Sequence, residues 1–130
     1  MQAVYYRAPD GSEPANDFTD RLPDEHQDAI DAAVRLLNHL GPNDPPLAFP
    51  HSSQVEGPLR ELRCHYGRYL YRILYQRSDN LFVLLHILEK REQKLPGTDI
   101  QLAQRRWEDF KTRMDAIPRT PPRAAGHDAP

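Results

Sequence analysis

Apolar and polar residues alternate in three short runs in the middle of the chain, which is the pattern of half-buried β-strands. The runs are Leu59–Tyr66, Tyr69–Arg77 and Leu81–Arg91, and they are separated by short turns at Gly67 and at Ser78–Asn80. Neighbouring strands joined by turns of this length pair in an antiparallel way. The sequence therefore predicts an antiparallel meander at the centre of the fold.

Helical spacing occurs on both sides of this meander. Residues 24–40 place apolar side chains three and four positions apart, which predicts an amphipathic helix that ends at Gly41-Pro42. A shorter helix is predicted from Pro14 to about Arg21, and a last helix begins at Thr98 or Asp99. Val4–Arg7 is predicted to be an edge strand. The pattern indicates an α+β fold with a small antiparallel sheet of about four strands.

Two proline-rich segments lack any periodicity. Residues 43–57 are predicted to be a linker, in which Leu47 and Phe49 pack against the core. Residues 118–130 are predicted to be a disordered tail. The sequence thus indicates one folded domain over residues 1–117, followed by the tail.

Charge is unevenly distributed along the chain, although the net charge is only −2. Residues 1–56 carry three arginines and ten acidic residues, whereas residues 57–97 carry eight lysines and arginines and four acidic residues. The predicted sheet is therefore basic and the preceding helices are acidic. A basic patch attracts phosphate groups, although a solvated charged face is the more common explanation.

Several classes of site are not expected from the composition. Cys64 is the only cysteine and is predicted to be a small buried side chain rather than a reactive thiol. No Cys/His set has the spacing of zinc ligands, so neither a metal nor another cofactor is expected. The longest apolar run, Leu81–Leu88, is too short to span a membrane, and the first residues lack a signal-peptide pattern. We expect a cytoplasmic protein.

Arg72 is the first candidate for a functional role. Leu70 and Leu74 flank it at the period of a strand, and a lone arginine in such a place is costly unless it is paired or lies in a groove. Two interpretations remain open: a structural pair with Glu61, or a phosphate-binding arginine at the floor of a cleft.

His86 and Lys90 share the parity of one face on the last predicted strand, so both could face the same cleft as Arg72. For His86, a hydrogen-bonded core histidine is the alternative interpretation. Tyr71 and Tyr75 have the opposite parity to Arg72, which argues against a place in the cleft unless the strand contains a bulge.

One ordered set of motifs covers the region from Leu59 to Ala103. It consists of Glu61-Leu62-Arg63, Tyr71-Arg72-Ile73-Leu74-Tyr75, His86 with Lys90-Arg91, Gln93-Lys94, Pro96, Asp99-Ile100 and Ala103. In this order the motifs resemble the RelE/HigB-like toxins of bacterial type II toxin–antitoxin modules. The resemblance is closest to the phage-derived-protein-like branch of the RelE/ParE superfamily.

The resemblance implies a RelE-like fold, with the N-terminal helices packed on one face of the sheet and a basic cleft on the other. It also implies cleavage of mRNA on the ribosome without a metal, which inhibits translation, and a helix-turn-helix antitoxin as partner. Carried onto this sequence, it gives the catalytic residues as Arg72, Lys90 and His86, and the RNA-binding residues as Arg63, Arg68, Arg91 and Lys94.

Two other functions remain open at this point. ParE-type toxins have a similar architecture but bind DNA gyrase without cleaving RNA, and a degenerate toxin binds only its antitoxin. An endoribonuclease needs Arg72, Lys90 and a proton-transfer group to converge in one cleft. A gyrase-binding toxin is expected to act mainly through a surface helix and to tolerate the loss of Arg72.

Overall fold

The computed structural model describes residues 1–90, 94–115 and 121–125 of the chain. The elements in these residues confirm the predicted α+β class. In chain order they are β1 (Gln2–Tyr5), α1 (Pro14–Asp20), α2 (Asp24–Asn38), β2 (Ser52–Glu56), β3 (Leu59–Tyr66), β4 (Tyr69–Ser78), β5 (Leu81–Glu89) and α3 (Gly97–Met114). None of the described helices is long and apolar enough to cross a membrane.

The strands form one sheet in the order β1-β5-β4-β3-β2. The predicted meander, β3-β4-β5, is antiparallel, but β1 pairs with β5 in parallel, so the sheet is mixed. The fifth strand, β2, lies in the segment that was predicted to be a linker, and it pairs with β3 at the sheet edge. Its sequence, Ser-Ser-Gln-Val-Glu, contains one apolar residue, so no alternation is visible in it.

Helices cover both faces of the sheet. On one face, α1 and α2 pack on a cluster that includes Leu62, Ile73 and Leu84. On the other face, α3 packs on a second cluster that includes Leu74 and Leu85. Because both faces of the sheet are covered, consecutive residues in the middle of β4 are all buried. A strand with one exposed face would instead alternate between buried and exposed residues.

A bulge in β5 changes which face its last residues occupy. Leu74 pairs with His86 whereas Tyr75 pairs with Leu84, so Leu85 is an extra residue in the ladder. The sequence parity had placed Phe82, Leu84, His86, Leu88 and Lys90 on one face. That prediction is wrong for the first two, because Phe82 and Leu84 belong to the cluster under α1 and α2, whereas Leu88 belongs to the cluster under α3.

Residues 121–125 lie along β1 and pair with it. The Tyr5 amide donates to the Arg123 carbonyl at 2.9 Å, and the Ala125 amide donates to the Ala3 carbonyl at 2.7 Å. Ala125 is fully buried in the hydrophobic cluster under α1 and α2. For these five residues the structure departs from the predicted disordered tail, because small alanines give little sequence signal for docking. The domain boundary at 117 lies outside the described residues and stays a prediction.

Candidate functional site

A cleft opens on the α3 face of the sheet, between the β2-β3-β4 edge and the start of α3. Its volume is about 580 Å³, which is in the range of sites that hold small molecules and nucleotides. The described residues that line it are Phe49, Ser53, Gln54, Val55, Glu61, Arg63, Arg72, Lys94, Leu95 and Ile100.

Arg72 lines this cleft and is also paired with Glu61. Its side chain is only 3% exposed, and its Nε donates to Oε2 of Glu61 at 2.7 Å. The other oxygen of Glu61, Oε1, accepts hydrogen bonds from Arg63 Nη1 and from the Ser53 hydroxyl, both at 3.0 Å. The two interpretations of Arg72 from the sequence, a structural pair and a cleft residue, are thus compatible in the structure.

Glu61 stays ionised in this setting. Burial alone raises the pKa of its carboxyl group, but the hydrogen bonds from Arg72 and Arg63 outweigh burial, so the pKa lies below its usual value. The carboxylate therefore keeps a negative charge between two guanidinium groups. This charge holds both arginines in fixed positions at the cleft.

Arg63 connects the buried pair to the rim of the cleft. It is the register partner of Arg72 in the β3–β4 ladder, and its guanidinium carbon lies 5.2 Å from the centre of the Phe49 ring. Phe49 is 70% exposed, so the prediction that it packs against the core is wrong. The prediction that Leu47 packs against the core is confirmed, because Leu47 contacts the hydrophobic cluster under α1 and α2.

Lys94 is the third predicted basic residue that lines the cleft, where its exposed side chain precedes α3. The structure thus brings together Arg63, Arg72 and Lys94. Arg68 lies exposed on the β3–β4 turn, and Lys90 lies exposed at the end of β5. Neither is among the described lining residues.

Lys90 and Arg68 are nevertheless near each other in the topology. The Lys90 amide donates to the Leu70 carbonyl at 3.3 Å, and Leu70 follows Arg68 by two residues. Both basic residues therefore lie at the same end of the sheet. Arg91, also predicted to bind RNA, lies outside the described residues.

His86 contacts α3 at both ring nitrogens. Its Nε2 lies 2.7 Å from Asp99 Oδ1, and Arg106 Nη1 lies 3.2 Å from its Nδ1. Because a guanidinium only donates, Nδ1 accepts and Nε2 carries the proton. Burial lowers the pKa of His86 and Arg106 lowers it further, against the opposing effect of Asp99. His86 is thus a neutral side chain that joins β5 to α3, and it is not among the described lining residues of the cleft.

The two tyrosines lie on the face opposite Arg72, as their parity predicts. The Tyr71 hydroxyl lies 2.7 Å from His26 Nδ1, and the Tyr75 hydroxyl lies 2.7 Å from the Ser52 hydroxyl. Cys64 is on the same side and is buried, which raises the pKa of its thiol to about 11. The prediction of a small buried side chain is confirmed for Cys64.

Sequence reasoning missed Phe49 and Ser53 as residues of the cleft. Both lie in the segment that was predicted to be a linker, where no periodicity assigns a face. Glu61 was considered only as a partner for Arg72, although it shares a strand face with Arg63 and is therefore within reach of both arginines. No group of three or more acidic, histidine or cysteine side chains that could hold a metal ion occurs in the described ranges.

Comparison with known proteins identifies the family. The family model described as "Phage derived protein Gp49-like (DUF891)" matches residues 17–108, which is well over half of the chain and includes the predicted site residues. No curated protein matches the chain. The family is a toxin-like one found in toxin–antitoxin systems, and this points to an antitoxin as partner. The chain therefore belongs to the Gp49-like family of phage-derived proteins.

Proposed function

We propose that this chain is the toxin of a type II toxin–antitoxin module, and that it cleaves mRNA on the ribosome in the manner of RelE/HigB-like toxins. The main support is the cleft in which one carboxylate, Glu61, holds Arg63 and Arg72 beside Lys94. Family membership supports the toxin role. We expect action in the cytoplasm, where the ribosomes are, and neutralisation by a helix-turn-helix antitoxin.

The charge of the cleft suits an RNA ligand. Among its described lining residues, three cations face one carboxylate, which leaves an excess of positive charge for phosphate groups. Single-stranded nucleic acid is commonly bound by such a basic groove together with an exposed aromatic ring. Phe49 supplies that ring at the rim of the cleft.

Cleavage without a metal needs a base for the ribose 2′-hydroxyl, cations for the crowded phosphate, and an acid for the leaving 5′-oxygen. We assign the cation role to Arg72, because Glu61 orients its guanidinium and a guanidinium binds phosphate oxygens through two hydrogen bonds. Arg63, Arg68, Arg91 and Lys94 are proposed to hold the RNA backbone.

Of the residues that an endoribonuclease is expected to bring together, Arg72 lines the cleft, whereas Lys90 and His86 are not among its described lining residues. The proton-transfer residue is therefore proposed separately. Lys90 is exposed and free to approach RNA at the end of β5, so we keep it as a candidate for charge stabilisation or proton transfer. His86 would first have to release Arg106 from Nδ1 before it could take up a proton there. Its contacts favour an anchoring role, and the catalytic role expected from the resemblance requires that rearrangement.

The test uses purified protein, ribosomes that translate a defined mRNA, and primer extension to map new 5′ ends. Wild type should produce new ends, and Lys94→Ala should reduce their rate because the lost charge lies in the cleft. Arg72→Lys keeps the charge but removes the two-pronged hydrogen bonding, so we expect a loss of about 100-fold. Arg105→Ala is the matched control, because Arg105 is an exposed cation on the outer side of α3.

Three outcomes would contradict the proposal. Equal rates for wild type and for both cleft variants would remove the cleft from the reaction. Growth arrest in cells without new mRNA ends, but with gyrase-dependent DNA breaks, would favour a gyrase-directed toxin. Binding of the antitoxin without any growth arrest would indicate a degenerate toxin.

A further inference from the structure

Phe49 has an exposure that the fold does not explain. Among the large hydrophobic residues that the structure describes, Leu36 and Tyr66 are each 37% exposed, whereas Phe49 is 70% exposed. Removing a phenylalanine side chain from water is favourable, so folding alone would be better served by a buried ring. Single exposed apolar residues are nevertheless common, and a role therefore needs a second observation.

The second observation is the contact between Phe49 and Arg63. The guanidinium of Arg63 lies over the ring, with its carbon 5.2 Å from the ring centre, and the same guanidinium donates to Glu61 at 3.0 Å. The ring is thus held next to a cation whose own position is fixed by a buried carboxylate. Both residues line the same cleft as Lys94.

An exposed aromatic ring on a protein surface commonly contacts either another protein or a nucleobase. A protein interface core is depleted in charge and needs a contiguous apolar patch. Here the exposed ring lies instead beside Arg63 and shares its cleft with Lys94 and Arg72. A nucleobase next to its phosphate presents the complementary pair of features, a flat π-surface and a negative charge.

We propose that Phe49 is a base-stacking residue for single-stranded RNA, and that the phosphate next to the stacked base lies against Arg63 and Lys94. This inference rests on the proposed function, because it takes RNA as the ligand of the cleft. It adds a specific contact on the base itself, whereas the basic residues contact only the backbone.

Fluorescence anisotropy with a labelled 2′-O-methyl hexanucleotide measures this contact without cleavage. Phe49→Ala should weaken binding by about 5- to 150-fold, the range that stacking on an aromatic ring provides. Phe49→Tyr should retain binding. Leu36→Ala is the matched control, because Leu36 is an exposed apolar residue on α2, outside the cleft.

A series of hexanucleotides with one abasic site, moved along the strand, separates stacking from a general disturbance of the cleft. One abasic position should bind wild type and Phe49→Ala equally, because the stacking partner is already absent. A Phe49→Ala defect that persists at every abasic position would overturn the inference. Lys94→Ala should lower the dependence of binding on salt, whereas Phe49→Ala should leave that dependence unchanged.

The outcomes distinguish this inference from the proposed function. If wild type binds the hexanucleotide through Lys94 but Phe49→Ala binds equally well, Phe49 does not stack and the proposed function stands. If wild type shows no salt-dependent binding at all, the inference fails, whereas the proposed function is still decided by cleavage of mRNA on translating ribosomes. If Phe49→Ala leaves RNA binding intact but abolishes binding of the antitoxin, Phe49 is a protein contact and the inference is wrong.

Discussion

Arg63 and Arg72 lie directly opposite each other across the β3–β4 ladder, and the carboxylate of Glu61 binds both. Two like charges at opposite positions of a sheet repel and destabilise the pair. A single carboxylate between them reverses this effect, since each of its oxygens accepts from one guanidinium. The stability of the sheet and the charge of the cleft therefore depend on one residue.

Glu61→Gln is expected to destabilise the protein by about 3–5 kcal/mol, the usual cost of removing one partner from a buried ion pair. The amide leaves two guanidinium groups opposed without a countercharge. Urea denaturation at pH 7 measures the free energy of unfolding. Glu89→Gln is the control, because Glu89 is exposed at the end of β5. A loss below about 1 kcal/mol for Glu61→Gln would show that the pair is not a major source of stability.

The contribution of Glu61 should also depend on pH. Its pKa in the folded protein lies below the ordinary value of 4.5, so the folded state holds its proton less tightly than the unfolded state. The stability it contributes is fully present above pH 4.5 and is lost as the pH falls through the lower, folded-state pKa. The difference in unfolding free energy between wild type and Glu61→Gln should therefore shrink in that window. A difference that stays constant with pH would contradict this assignment.

His86 should make the fold sensitive to mild acid. Its pKa in the folded state lies below 6.5, because burial and the neighbouring Arg106 disfavour the charged ring more than Asp99 favours it. The unfolded state takes up the proton first as the pH falls below 6.5, so stability should decrease from there downward. The His86→Gln variant should lose part of this slope between pH 7.5 and 5.5, measured by urea denaturation. His65→Gln, at an exposed position of β3, should keep the wild-type slope, and equal slopes for all three proteins would refute the role of His86.

Residues 121–125 should stabilise β1. A chain that ends at residue 120 loses two backbone hydrogen bonds to β1, each worth about 1 kcal/mol, and the buried side chain of Ala125. The amide of Tyr5 should then exchange with solvent faster, as measured by NMR. A chain that ends at residue 125 is the control, since it keeps every one of these contacts. Equal stability and equal Tyr5 exchange in the two truncated proteins would show that the segment does not support β1.

Cys64 should report on unfolding. Burial raises the pKa of its thiol to about 11, so the reactive thiolate is rare at pH 8 and the sulfur is out of reach of reagents. A thiol reagent such as DTNB should react slowly with the native protein and fast in urea. Thr112→Cys in a Cys64→Ala background provides an exposed thiol on α3 for comparison. Native Cys64 reacting as fast as that exposed thiol would contradict the buried assignment.

The parts of the fold that the sequence predicted are those with long, regular patterns. The strands β3, β4 and β5 and the helix α2 each carry many apolar residues in one segment, so the type and the bounds of each element were predicted closely. The bulge in β5 was not predicted. The parallel pairing of β1 with β5 could not be read from the sequence, because the two strands are far apart in the chain and no local pattern of residues marks their pairing. The strand β2 has one apolar side chain, and its place is set by pairing with β3.

The same distinction applies to the site. The pairing of Arg72 with Glu61 could be anticipated because both residues lie on regular strands, whereas Arg63 was proposed only from the family resemblance. Lys90 follows the bulge at Leu85, and Arg68 lies in a turn, so parity could not predict their position relative to the cleft. Phe49 lies in an irregular segment, and only the folded chain shows it at the rim of the cleft.

The parallel pairing of β1 has a consequence for the order of events during synthesis. Strand β1 leaves the ribosome before the other strands of this sheet and has no native partner until β5, which ends at Glu89, has also emerged. The other edge of β1 lacks its backbone hydrogen bonds until residues 121–125 have also been made. The sheet is therefore complete only after residues 121–125 have been made. A nascent chain that stops before β5 contains Glu61, Arg63 and Arg72 without the completed sheet that holds them, and it lacks Lys94 of the cleft.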